Sequence, residues 1–163
     1  MPLERPQVAM LADAVQTRYD GPPPEGEAER VAPQAEPGKG AHARAVMRLL
    51  HAAAMGDYEA AGEVLADDVR FEILACNVTF PVRRAVGRAA MIEALKQNFP
   101  VVTDQQMELL AFVEDDTHCV MIHHESGRVV ATGERYEGYG TFLFTFAGGR
   151  IVHLRNMAAA RDP

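Results

Sequence analysis

No stretch of this chain approaches the ~20 consecutive apolar residues of a membrane-spanning helix, and its opening MPLERPQ lacks a basic segment followed by an apolar run. A cytoplasmic protein is the expectation. Cysteine is nearly absent: Cys76 and Cys119 each sit in an apolar, strand-like context, and two thiols are too few for a disulfide framework. Both are read as buried thiols. Positive charge is also scarce, with 16 Lys and Arg against 23 Asp and Glu and a formal charge of -7. That balance argues against a nucleic-acid or anionic-membrane partner, since either favours a basic face. Histidines at chelating distance are missing too: His118 and His124 share a strand face but stand about 20 Å apart. Neither a metal site nor a cofactor is expected.

The 163 residues suffice for one domain with a substantial core and are too few for two. Seven of the ten prolines precede residue 41, together with Gly21, Gly26, Gly38, Gly40 and the acids Glu25, Glu27 and Glu29. Residues 1–40 therefore read as a flexible, Pro-rich extension, and 41–160 as the folded domain. Inside the extension Val8, Leu11, Val15 and Tyr19 fall three or four apart, which predicts a short amphipathic helix over 7–19.

Apolar periodicity organises the rest. Val46, Leu49, Leu50 and Ala53 mark one face of a first helix that Gly56 should stop, and Asp57 can cap a second through Leu65. Val69, Phe71 and Ile73 alternate with Arg70, Glu72 and Leu74, a strand over 69–76, and Phe80–Val82 reads as a short strand or turn. A third helix runs from Arg88 to Phe99 on Met91, Ile92 and Leu95, closed by Pro100. Thereafter only strands are written, at 105–114, 117–125, 128–137, 139–147 and 150–158, with turns at Glu114–Asp116, Ser126-Gly127 and Gly148-Gly149. Phe142, Phe144 and Phe146 alternate with Thr141, Leu143 and Thr145, and this strand should pair antiparallel with Ile151–Met157. Helices first and an antiparallel meander afterwards predict an α+β fold, a cone-shaped curved antiparallel sheet covered by three helices. Its interior is a cavity unless large side chains fill it.

Three segments carry a family resemblance: MGDYEAAGEVLADDVRFEI, AVGRAAMIEAL and ATGERYEGYGTFLFTFAGGRIVHLRN. In this order and spacing, over about residues 41–160, the chain resembles the SnoaL-like polyketide cyclase group of the nuclear transport factor 2-like superfamily, which also holds ketosteroid isomerase and limonene epoxide hydrolase. The resemblance implies the cone fold, a homodimer through the outer face of the sheet, and a pocket for a small apolar polyketide-, steroid- or terpenoid-like molecule. It also implies acid/base chemistry of the cyclase, isomerase or hydrolase type, or else a non-catalytic binding or dimerisation module. The isomerase's tyrosine falls at Leu49, its proton-abstracting aspartate at Ile73 and its protonated acid at Phe142. None of these can donate a hydrogen bond or take a proton, so ketosteroid isomerase chemistry is excluded. Where the cyclases and the hydrolase place an acid on the last strand, this chain has Arg155-Asn156-Met157. A pocket whose usual reactive carboxyl groups are replaced by neutral side chains is the expectation.

Candidates for chemistry remain. His123 and His124 are adjacent on a strand, so only one can face the pocket. Analogy with inward positions of the hydrolase group favours His123, as acid or base, with Asn156 as a positioning group. Leu49, Tyr58, Phe71, Ile73, Phe142 and Leu154 are the expected substrate contacts, although Tyr58 could simply pack. Glu72, Glu134 and Glu137 are possible pocket acids, Tyr136 and Tyr139 possible partners of a ligand oxygen, and Arg83, Arg84 and Arg88 a possible carboxylate site at the rim. His153 should point away from Asn156.

Overall fold

The computed structural model describes residues 40–76 and 78–161. The helix expected over 7–19 lies outside them. Helix α1 (Ala41–Ala54) buries Ala43, Val46, Leu49, Ala52 and Ala53, so three of the four residues of the predicted stripe are buried and the fourth, Leu50, is half-buried against the core. Its first turn has no cap from its own sequence. Glu114, at the far end of a strand, supplies one by accepting the Ala43 N–H at 2.9 Å. Gly56, at φ 73°, ends the helix, and Asp57 accepts the Ala60 N–H to start α2 (Tyr58–Glu63). Strand β1 (Leu65–Cys76) begins four residues before the expected Val69, because Leu65 is fully buried and already pairs with Ile151.

Beyond it come β2 (Arg84–Val86), α3 (Arg88–Asn98) and a 3-10 turn at Phe99–Val101. The short strand thus falls after Phe80–Val82, not on it. Four strands follow: β3 (Val102–Glu114), β4 (His118–Val129), β5 (Arg135–Ala147) and β6 (Arg150–Arg161). Five were expected, and the difference lies at Ser126-Gly127. That pair sits inside β4, and the chain reverses over 130–134, where Gly133 takes φ 74°. Gly127 is small for another reason: a Cβ there would come within 2.9 Å of the Tyr136 ring on the neighbouring strand.

The six strands form one sheet in the order β2-β1-β6-β5-β4-β3. From β3 to β6 each strand pairs antiparallel with the next, as the hairpin signals require. The pairing of β1 with β6 is parallel, so the sheet is mixed. The alternation read from β1 holds, with Val69, Phe71 and Ile73 buried against the helices. The matching inward residues are Leu154 on β6, Phe144 and Phe146 on β5, and Cys119 and Met121 on β4. These close one end of the cone with a solid core; towards the other end the filling stops. None of the described helices is long and apolar enough to cross a membrane.

Candidate functional site

Helix α1, the end of α3 and the concave face of the sheet enclose a cavity of about 110 Å³. One water needs roughly 10–15 Å³, so the space admits an organic molecule. Leu49, Phe71, Ile73, Phe142 and Leu154 all border it. Each reached the wall through the alternation or helical spacing that marked it in the sequence. Tyr58 does not border it. It packs at the edge of the core instead, with the Lys96 ammonium 5.5 Å from its ring centre, because α2 lies beside α3 and not over the open end of the sheet.

Polar groups interrupt the apolar wall at a few places. Asn98 is already engaged, accepting the Val82 N–H at 3.0 Å and donating to the Val82 carbonyl at 2.7 Å. Asn156, opposite Ile73 on β1 and Phe142 on β5, borders the cavity with its Oδ1 buried and unpartnered. Glu125 borders it from β4. The expectation of a cavity without an acid is therefore wrong. The error follows from the turn assigned to Ser126-Gly127, which made Glu125 the last residue of a strand. In the continuous β4 it stands two places beyond His123, on the same inward face.

His123, not His124, faces inward. Its side chain is 1% exposed, its ring stacks on Phe142 at 4.9 Å, and neither ring nitrogen has a hydrogen-bond partner among the described residues. Its Nε2 lies 3.5 Å from Oε2 of Glu125, whose side chain is 12% exposed. A buried N–H without a partner costs about 1–3 kcal/mol. A displacement of roughly 0.7 Å would bring the two groups to the length of a charge-assisted bond. His123 itself lies behind the wall, so the group presented to the cavity is the carboxylate.

A glycine makes room for the imidazole of this pair. The register sets Gly140 beside His123 and Gly138 beside Glu125, and a Cβ at Gly140 would overlap the imidazole. This is the signal in Glu137-Gly138-Tyr139-Gly140 that a reading of the histidines alone misses: two inward positions with no side chain imply large inward neighbours.

Tyr136 borders the same end of the cavity. Burial and the Glu125 carboxylate push its hydroxyl up to about 12, against a hydrogen bond from Gln105, so it remains a neutral O–H. Gln105 sits at a bulge where two residues of β3 oppose Gly127 alone, and Asp104 takes φ 53° there. Cys76, half-buried rather than buried, also borders the cavity, with its thiol raised by burial. Cys119 is pushed up to about 12 by burial. Neither thiol is primed as a nucleophile.

The remaining candidates lie elsewhere. His124 is on the outer face, 3.1 Å from Glu137 and edge-on to Tyr139. Glu72 is also outside; His153 bonds it at 2.9 Å, with Arg84 and Arg155 nearby, and that bond holds its carboxyl below the usual range. Glu134 stands in the turn before β5. Arg83 donates to the carbonyls of Ile73 and Leu74, and Arg88 to the Leu65 carbonyl and Asp67. The expected carboxylate site at the rim is not formed.

The sequence pattern of the SnoaL-like domain family matches residues 46–154. No curated protein matches the chain. Among solved structures, an NTF2-like protein from Burkholderia xenovorans superposes with a TM-score of 0.62 at 19% identity, over 73% of this chain and 89% of that one. TerC, crystallised with polyporic acid, gives 0.62 at 13% identity, over 74% and 92%. An LEH-like epoxide hydrolase from M. tuberculosis gives 0.56 at 18% identity, over 71% and 80%. At these identities the likeness is one of fold.

Proposed function

Because this chain belongs to the SnoaL-like domain family, we propose that its cavity takes a small apolar molecule of polyketide, steroid or terpenoid type and that Glu125, backed by His123, moves a proton on it. The observation that carries this reading is the carboxylate at the wall of an otherwise apolar cavity, with Nε2 of a buried, unpartnered imidazole 3.5 Å behind it. A carboxylate in contact with a ligand can act as general base, and an imidazole behind it orients it and stabilises whichever charge develops. Asn156 positions a ligand oxygen, and the Tyr136 hydroxyl donates to another. The positions at which the resemblance places the isomerase's polar groups, Leu49, Ile73 and Phe142, are apolar wall residues, so the base and the donors of this proposal come from other positions.

The neighbouring folds include one named as an epoxide hydrolase and one crystallised with polyporic acid, which supports a pocket for an organic ligand. A homodimer through the outer face of the sheet belongs to the same proposal, because Leu74, Ile122, Tyr139 and Met157 leave apolar surface exposed there.

Occupancy of the cavity is tested with ethylbenzene, a probe without polar atoms. It is expected to raise the melting temperature of the protein, and Ala53→Phe, which fills the cavity from α1, is expected to abolish that rise. No shift with the unaltered protein would contradict a cavity open to ligands. Binding of a natural ligand with no product by mass spectrometry would select the non-catalytic member of the family, a reading favoured by the wall residues at 49, 73 and 142.

A further inference from the structure

Met107 stands opposite Glu125 on the concave face of the sheet and borders the cavity, yet 42% of it is exposed. A concave-face residue stays wet where no helix covers it, so Met107 marks the mouth of the cavity. It lies on β3, an end strand of the sheet. Helix α1 starts against the far end of the same strand, where Glu114 accepts the Ala43 N–H. Further along α1, Leu50 borders the cavity and is only half-buried, and Met47, one turn earlier on the same helical face, is 38% exposed. The described residues thus leave an apolar seam open between α1 and β3.

The chain carries a segment that fits this seam. A Cβ on Gly40 would overlap the Glu114 carboxylate, so the preceding residues leave the domain at the junction of α1 and β3, the head of the seam. Residues 20–39 can reach roughly 25 Å from that point as a flexible chain. Helix α1, with 14 residues, is about 21 Å long, so every part of the seam is within range. Beyond the linker, Val8, Leu11, Val15 and Tyr19 recur at helical spacing, and as a helix they would span about 16 Å. A helix this short is marginal in water and needs an apolar surface to pack on.

We propose that residues 7–19 form an amphipathic helix seated in the seam, with Leu11 and Val15 against Met47, Leu50 and Met107, and that this helix covers the mouth of the cavity. The proposal goes beyond the proposed function and does not depend on the chemistry at Glu125. The outer face of the sheet, with Met157, is the competing seat, and a second copy of the chain is the competing occupant.

Hydroxyl-radical footprinting of the full chain, read by peptide mass spectrometry, uses the methionines as reporters. Leu11→Asp is expected to speed oxidation of Met47 and Met107 by about tenfold, the factor that corresponds to burying one leucine side chain. Met55, exposed just past the end of α1, and Met157 on the outer face should keep their rates, and the buried Met121 should stay slow, which shows that the domain remains folded. Met47→Glu disturbs the seam from its other side, at an exposed position of the domain, and should speed oxidation of Met107 in the same way. Unchanged rates at Met107 in both variants overturn the proposal. A response at Met157 in place of Met107 overturns it by moving the segment to the outer face. Protection of Met47 and Met107 that fades on dilution of the unaltered protein overturns it by making a second copy the cover.

Discussion

Glu125→Gln is expected to lower turnover by roughly 10²–10⁴-fold, the range lost when a positioned acid or base is removed. The amide keeps the shape of the side chain and its place on the inward face of β4, but it cannot take a proton. Melting temperature and affinity for a bound apolar ligand should change little, because among the described residues the carboxylate holds no element of the fold by a hydrogen bond and its one ion-pair distance is the 3.5 Å to His123. The quantities to measure are kcat and Kd, side by side. A fall in kcat with Kd nearly constant identifies a group that acts in the transition state. A variant with full turnover would remove Glu125 from the chemistry.

Gly140→Ala carries the second large effect, and it is an effect on stability. A Cβ at this position overlaps the His123 imidazole, which is buried and stacked on Phe142. Overpacking of this kind costs about 1–3 kcal/mol. Taken alone, replacing a strand glycine by alanine gains roughly 0.5–1 kcal/mol. The two terms separate in a double-mutant cycle followed by denaturant unfolding. Gly140→Ala should destabilise the protein when His123 is present and be neutral or stabilising in a His123→Ala background. Equal costs in both backgrounds would mean that the glycine serves the backbone and not the imidazole.

Most of the fold was legible because it is written in periods. The apolar stripe of α1, the alternation of β1 and the phenylalanines of β5 each place their own residues without reference to the rest of the chain. Five of the six expected substrate contacts border the cavity for this reason, and the sixth, Tyr58, missed it because the position of α2 over the sheet is not a periodic property. The parallel partnership of β1 and β6 was illegible for the same cause, since hairpin signals report only neighbours in sequence. Glu125 was lost to a local rule applied correctly in the wrong place. Ser-Gly is a turn signal, yet Gly127 is small to receive the Tyr136 ring and the true reversal is at Gly133. A cross-strand contact within the β4–β5 hairpin overrode turn propensity, and the strand continued through the point where the acid lies. The glycines at 138 and 140 held the missing information, but a glycine becomes an empty inward position only once the register of its neighbour is known.

The pairing of Glu125 with His123 is the centre of this account, and long-range proton–nitrogen NMR of the histidine rings reads it without a substrate. His123 should show one tautomer, with its proton on Nε2 facing the carboxylate, and Glu125→Gln should move those signals. Glu137→Gln, beside His124 on the opposite face, should leave them in place. His123 signals that do not respond to Glu125→Gln, or a proton fixed on Nδ1, would contradict it.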